Sequence, residues 1–224
     1  MYVNKGGSQE SHQRNKIVIN GTDIETVSEI KYLGVIIDNK LNFKHHKKWV
    51  TNTIEKKKKI GYLHRVSRQL SMWTKSIIFN TIIKPHYNYC SKILAVANEK
   101  EGNKLQKLQS RAARIILKES WLSDQREMLN KLKWKNVKEN FEIDVCTFIF
   151  KILHGKMPKY LENILKCKDH KHDTRSERNS CVEGKANNSI FYRGVRKFYA
   201  LPANIKDEKD FVKFSRKLEN YVSI

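Results

Sequence analysis

Five basic residues recur at helical spacing between positions 99 and 118 and could bind the phosphates of a nucleic acid. They are Lys104, Lys107, Arg111, Arg114 and Lys118. At 100° per residue these cations fall within an arc of about 80° on a helix, beside a parallel stripe of leucine, alanine and isoleucine. The stripe would anchor the helix in a core while the cations follow a phosphate backbone. The spacing therefore favours nucleic-acid contact, and the alternative is an ordinary solvated face.

A second basic cluster, the lysine run at 56–59, is a weaker signal. Lys56, Lys57 and Lys59 are candidates for phosphate contact. On an unbroken helix four consecutive lysines surround the axis, so at most about three of them could touch one backbone. The run is equally compatible with a nuclear localisation signal or with a solvated helix face.

Candidate metal ligands and catalytic groups are sparse. Cys167, His170, His172 and Cys181 form a group that lacks the paired-cysteine spacing of zinc knuckles. The sequence contains no GxSxG, Walker or HExxH motif, and no two aspartates are adjacent. A two-metal phosphoryl-transfer site needs clustered carboxylates, and Asp38 at the end of a predicted strand is a single one. We therefore expect no catalytic residue, no bound metal and no cofactor in this chain; metal binding by the four Cys and His residues is the alternative.

The composition is that of a basic globular protein. The 224 residues include 45 Lys and Arg against 23 Asp and Glu, a formal net charge of +22, and 39% are hydrophobic. Such a surplus repels itself unless a polyanion neutralises it, which favours a nucleic-acid partner. Residues 1–16 lack the apolar segment of a signal peptide, and no stretch approaches the roughly 18 apolar residues of a membrane span. We therefore predict an intracellular protein without membrane contact, whose four separated cysteines form no disulfide framework.

The chain divides into a short β segment and a longer helical one. The expected organisation is a flexible leader at 1–15, a β segment at 16–40, a helical domain at 41–166, a polar loop at 167–189 and a tail with a final helix at 190–224. Asn20-Gly21 is typical of a tight hairpin turn, and the β-branched run at 30–38 predicts a strand. Leu33 and Val35 are expected in its sheet core. The fold class is therefore mainly α, with a small N-terminal β-hairpin or three-stranded sheet followed by a helical bundle.

Hydrophobic periodicity places the helices of that bundle. One long helix is expected at 42–68, and another begins after the N-cap candidate Ser71 and runs towards Pro85. Further helices are expected at 86–97, 99–118, 122–131, 137–153, 158–166 and near 207–222. Residues 190–192 are expected to form only a short apolar-aromatic patch.

Several segments, in order, resemble the region after the catalytic palm in reverse transcriptases of non-LTR (LINE-type, jockey-like) retrotransposons. The YLGV block lies at 30–43, the IKPHYNYC block at 83–90 and the LQKLQSRAARII block at 105–116, with looser matches at 172–176 and 201–205. The ordered segments cover nearly the whole chain, from about residue 17 to residue 205.

This resemblance implies that the β segment is a palm remnant and that the helical domain is thumb-like. It implies a primer-grip-like position for Tyr32, Leu33 and Gly34, against the alternative of simple sheet core. The aspartate pair of the family's polymerase centre is absent from the sequence. The resemblance therefore implies a non-catalytic fragment of an RNA-directed DNA polymerase that binds an RNA or RNA–DNA duplex, beside a separate palm. The alternative is a non-enzymatic helical module that binds a protein through an exposed apolar patch.

Overall fold

A computed structural model describes residues 17–25, 27–56, 59–95, 99–165 and 190–222. This part of the chain is mainly helical and begins with short antiparallel strands, so the predicted fold class is confirmed. Within these ranges no helix combines the length and the apolar character needed to cross a membrane.

The described strands form two hairpins and the described helices follow them. The strands are β1 (Ile17–Ile19), β2 (Thr22–Ile24), β3 (Glu29–Tyr32) and β4 (Val35–Asp38). The helices are α1 (Lys44–Lys56), α2 (Lys59–Val66), α3 (Met72–Ile78), α4 (Lys84–Asn88), α5 (Ser91–Ala95), α6 (Glu99–Leu117), α7 (Gln125–Lys131), α8 (Val137–Leu153), α9 (Lys159–Leu165), α10 (Ile190–Tyr199), α11 (Ala203–Lys206) and α12 (Phe211–Val222). A π-helical turn at Phe79–Ile83 joins α3 to α4.

Both hairpins turn on a pair of residues with positive φ. Asn20 (φ 50°) and Gly21 (φ 76°) join β1 to β2, as the Asn-Gly pair predicts. Leu33 (φ 45°) and Gly34 (φ 80°) join β3 to β4, so the 30–38 run is a second hairpin and not one strand. The expectation that Leu33 lies in the sheet core is therefore wrong, because Leu33 is at the tip and 74% exposed. Val35 is buried as expected.

The carboxylate of Asp38 organises the loop that leads from β4 into α1. It accepts hydrogen bonds from the backbone N–H groups of Lys40 (3.1 Å), Asn42 (3.2 Å) and Phe43 (2.7 Å). Asp38 is 8% exposed, so these three donors satisfy the oxygens of a nearly buried side chain. This strand-end carboxylate therefore has a structural role as a loop cap.

His46 on α1 holds the second hairpin against the helix. Its ring is fully buried, and its Nδ1 accepts a hydrogen bond of 3.4 Å from the backbone N–H of Ile36 on β4. Burial, together with the adjacent charge of Lys47, lowers the pKa of His46. The neutral ring is therefore the form that the folded chain accommodates.

The fold is expected to lose stability as the pH falls below 6.5, the ordinary pKa of histidine. Between the lowered pKa of His46 and that value, the unfolded chain binds more protons than the folded chain, so stability decreases with falling pH. His46→Asn keeps a hydrogen-bond acceptor but cannot be protonated. Thermal melting at neutral and mildly acidic pH should show a smaller acid-induced loss in this variant. An equal loss in both proteins would contradict the assignment.

Several helix boundaries differ from the sequence-based expectation. The N-cap of α3 is Ser71, as predicted, since its hydroxyl accepts from the N–H of Thr74. The helix predicted at 86–97 is instead broken at Cys90, whose φ of 53° separates α4 from α5. The final helix begins at Phe211 and not near 207, and α10 occupies a segment for which only an apolar patch was predicted. Residues 57 and 58, within the long helix predicted at 42–68, lie outside the described residues.

The buried residues form two main cores that share α8. Its first half supplies Val137 and Phe141 to a core with α1, α2, α4, α5, α6 and the π-helical turn. Its second half supplies Ile149 and Phe150 to a core with α9, α10, α11 and α12. At Gly194 on α10 an added Cβ would lie 2.9 Å from Cγ1 of Ile149, so the two helices pack closely there. The division into domains at 166 and 190 stays a prediction.

Candidate nucleic-acid interface

The five predicted cations lie along α6 and at the residue that follows it. We call Lys104, Lys107, Arg111, Arg114 and Lys118 the cation row. Four of these residues are exposed, and Arg114 is half-buried. At about 1.5 Å per residue the row is about 21 Å long, which corresponds to about six nucleotides of one strand at 3.4 Å each.

The opposite face of α6 is buried and fixes the direction in which the cation row points. Leu105, Ala112, Ala113 and Ile116 are at most 4% exposed. Helix α6 packs against α1, α2, α3, α7 and α8, so its apolar side is wider than the sequence stripe indicated. Because these neighbours hold the helix on several sides, the row is presented on a rigid element.

Two glutamines within the 105–116 block fasten α6 to the start of α8. Gln106 accepts a hydrogen bond of 2.8 Å from the backbone N–H of Val137 and donates one of 3.0 Å to Gln109. Gln109, only 3% exposed, donates a hydrogen bond of 2.9 Å to the carbonyl of Lys135. Sequence reasoning missed this role, although two glutamines three positions apart on one helix face were a usable signal.

Three members of the cation row have no carboxylate partner among the described residues. Within the ranges that the structure describes, Lys107, Arg111 and Lys118 form no ion pair. Glu119, which follows Lys118 directly, is bonded at 3.0 Å to Lys131 on α7. This hydrogen bond lowers the pKa of Glu119 and shows that its charge is compensated elsewhere. A phosphate that contacts these three side chains therefore has no ion pair to displace.

A cleft beside the cation row adds a further arginine. The cleft has a volume of about 350 Å³ and lies between α1, α2 and α6. It is lined by Glu55, Ile60, Gly61, Arg65, Leu108 and Arg111. Arg65 of α2 is thereby brought to the same surface as Arg111. Sequence analysis did not select Arg65, because the proximity of α2 to α6 is a tertiary feature.

A buried lysine holds the carboxyl end of α6. The side chain of Lys75 on α3 is 1% exposed, and its Nζ donates to the carbonyls of Ile115 (3.4 Å) and Ile116 (2.9 Å). These carbonyls belong to the last turn of α6, where no backbone N–H of the helix reaches them. Burial lowers the pKa of Lys75, and the positive charge of Lys118 lowers it further. Lys75 was not recognised from the sequence.

Arg114 differs from the other members of the cation row. Its guanidinium carbon lies 4.7 Å from the ring centroid of Trp121, in the turn after α6. Its Nε is buried and has no hydrogen-bond partner among the described residues. Arg114 is therefore directed at an aromatic ring, while Lys107 and Arg111 face solvent.

The lysine run at 56–59 is only partly described. Lys57 and the side chain of Lys56 lie outside the described residues. Lys59 is half-buried, donates a hydrogen bond of 3.4 Å to the carbonyl of Ile82 and contacts His86. The structure therefore places Lys59 against the π-helical turn and α4, and its predicted phosphate contact is untested.

The proposed primer-grip-like residues form the tip of the second hairpin. Tyr32 and Leu33 are 62% and 74% exposed. The hydroxyl of Tyr89 donates a hydrogen bond to the carbonyl of Leu33, and an added Cβ at Gly34 would lie 3.6 Å from the same ring. This contact joins the YLGV block at 30–43 to the IKPHYNYC block at 83–90. The primer-grip-like role itself stays a prediction.

The metal candidates Cys167, His170, His172 and Cys181 lie outside the described residues. Within the described part of the chain, no group of three or more His, Cys, Asp or Glu side chains is placed to hold a metal ion.

The sequence is similar to parts of known RNA-directed DNA polymerases. It is 29% identical over 118 residues to the RNA-directed DNA polymerase from mobile element jockey of Drosophila funebris. It is 30% identical over 92 residues to the probable RNA-directed DNA polymerase from transposon X-element of Drosophila melanogaster. The probable RNA-directed DNA polymerase from transposon BS of the same species is 27% identical over 101 residues. The resemblance to non-LTR retrotransposon reverse transcriptases is confirmed.

These matches are partial on both sides. They cover 41% to 52% of this chain and 10% to 13% of the relatives. No family model and no solved structure matches the chain. The similarity therefore relates this chain to a small part of a much longer polymerase.

Proposed function

We propose that this chain is a nucleic-acid-binding segment of a retrotransposon RNA-directed DNA polymerase, in which the cation row holds the backbone of an RNA–DNA hybrid. The segment acts in the manner of a thumb, beside a polymerase palm that supplies the catalytic aspartates. It binds through phosphates and without base readout, so its affinity depends little on sequence.

The observation that carries this proposal is the geometry of α6. Lys107 and Arg111 are exposed on one side of α6, which is packed on its other side, and Lys118 is exposed at the residue that follows the helix. None of the three has an ion-pair partner in the described chain. A dispersed basic surface would not need this alignment. The similarity to RNA-directed DNA polymerases supports a hybrid duplex as the partner.

A competition experiment separates this function from unspecific attraction by a chain of charge +22. Fluorescence anisotropy with a labelled RNA–DNA hybrid measures binding by the full chain, and polyglutamate of equal total charge serves as competitor. We expect the hybrid to be displaced efficiently by unlabelled hybrid of unrelated sequence and only weakly by polyglutamate, because only the hybrid matches the spacing of the row. Equal displacement by polyglutamate, or no binding at low salt, would contradict the proposal.

A further inference from the structure

Trp121 is an exposed aromatic side chain next to the cation row, and phosphate binding by the row gives this ring no role. Its side chain is 78% exposed in the turn between α6 and α7. The guanidinium of Arg114 lies over the ring at 4.7 Å, within the range of a cation–π contact. The ring is thus fixed from one side by a member of the row and open to solvent over most of its area.

The turn that carries Trp121 is held by hydrogen bonds around it. The carboxylate of Glu119 accepts from Ser123 (3.0 Å) and from Lys131 (3.0 Å). The backbone N–H of Leu122 donates to the hydroxyl of Ser120 at 3.0 Å. Because these bonds organise the turn before any ligand arrives, a partner that contacts the indole need not order the loop.

The position of the indole relative to the row indicates which chemical group it meets. Trp121 lies at the carboxyl end of the row, since the guanidinium of Arg114, itself a member of the row, is 4.7 Å from the centroid of its ring. A strand whose phosphates follow the row would therefore bring a nucleotide to the ring. Bases within a duplex have both faces covered by their neighbours, so an indole meets an open face only at the terminal pair or on an unpaired nucleotide. A turn that follows the row favours the unpaired nucleotide that continues the bound strand. Stacking of this kind tolerates any base, since every base has a π-face.

We propose that Trp121 stacks on an unpaired nucleobase next to the duplex, so that the cation row and Trp121 together bind a junction between hybrid and single strand. This inference rests on the proposed function of the row. Arg114 positions the ring and adds positive charge on its far side.

Binding to two matched ligands tests the inference. The ligands are a blunt RNA–DNA hybrid and the same hybrid with a short single-stranded overhang. Trp121→Ala should weaken binding of the overhang ligand by about tenfold, the typical value of one stacked base, and leave blunt-ended binding unchanged. Trp121→Phe retains an aromatic face and should restore most of the affinity. Leu122→Ala, at the 92% exposed neighbour in the same turn, is the control for loss of an exposed apolar side chain.

A second measurement follows Trp121 in the unsubstituted chain. In the chain labelled with 5-fluorotryptophan, the ¹⁹F resonance of Trp121, assigned from Trp121→Phe, should shift on addition of the overhang ligand and not of the blunt one. A third ligand is the hybrid whose overhang has the sugar-phosphate backbone but no bases. Its affinity for the unsubstituted chain should be as low as the affinity of the intact overhang ligand for Trp121→Ala.

The outcomes distinguish this inference from the proposed function. The stacking role of Trp121 would be overturned if Trp121→Ala lost equal affinity for both ligands. It would also be overturned if Trp121→Ala kept its affinity for the overhang ligand and the ¹⁹F resonance of Trp121 did not shift with that ligand. If neutralising Lys107, Arg111 and Lys118 abolishes binding in that case, the cation row retains its function. If that neutralisation leaves binding intact, the proposed function fails together with the inference.

Discussion

Replacing Lys107, Arg111 and Lys118 by glutamine is expected to reduce the affinity for an RNA–DNA hybrid by about 10²–10³-fold in 0.1 M salt. Each phosphate contact makes the association constant fall with about the 0.9 power of the salt concentration. Between 1 M and 0.1 M salt, one contact therefore changes the association constant by a factor of about eight. Three lost contacts therefore multiply to about 500. The slope of log affinity against log salt should become shallower by about 2.7. Glutamine preserves helix propensity, so α6 itself should remain folded.

A matched variant shows whether position or total charge matters. Lys159, Lys209 and Lys213 are exposed, and they lie on α9 or near the start of α12, beside the second core. Changing these three to glutamine removes the same charge and should reduce affinity much less. Titrations by fluorescence anisotropy over a range of salt concentrations compare the two variants. Equal losses in both would mean that net charge, and not the cation row, determines binding.

The second large effect is expected at Lys75, whose replacement by methionine should lower the free energy of unfolding by about 3 kcal/mol. Methionine fills most of the volume but cannot donate to the carbonyls of Ile115 and Ile116, so two acceptors in a buried site lose their partner. Methionine also removes the buried charge, whose desolvation lowers the pKa of Lys75. This gain offsets only part of the cost of the lost hydrogen bonds. The last turn of α6, which leads to Lys118, should fray in consequence.

Urea denaturation measures the loss, and amide hydrogen exchange in the last turn of α6 locates it. Lys138→Met serves as the control, because this lysine is exposed on α8 and should leave stability within about 0.5 kcal/mol. A Lys75→Met protein that equals or exceeds the parent in stability would show that the buried charge costs more than its hydrogen bonds contribute.

The elements that depend on local sequence agree most closely with expectation. Helix α8 occupies 137–153 as predicted, and α6 lies within one residue of its predicted end. Both carry their own signals, an apolar periodicity and, for α8, a capping box of Asn136 with Glu139. The Asn20-Gly21 turn follows from the preference of that pair for positive φ.

The elements that depend on distant partners were not predictable in the same way. The turn at Leu33-Gly34 is hidden in an apolar run, because leucine has no preference for positive φ and the tip is held by Tyr89 from another part of the chain. Helix α10 is different, because its apolar face is already present in the sequence and was a usable signal, and α8 covers this face in the second core. Only the turn at Leu33-Gly34 depends on a contact far along the sequence.

The sequence by itself determined the similarity to reverse transcriptases, the fold class and the one-sided placement of the cations on α6, because composition, periodicity and spacing are properties of the chain. The tertiary structure decided which cations remain exposed. It also placed Arg65 in the same cleft as Arg111 and the guanidinium of Arg114 over the ring of Trp121. It also decided that the two glutamines fasten α6 near its middle and that Lys75 fastens its carboxyl end, all three being polar residues at buried or half-buried positions. These features depend on the docking of α6 against its neighbours, and no local pattern encodes the distance between two helices.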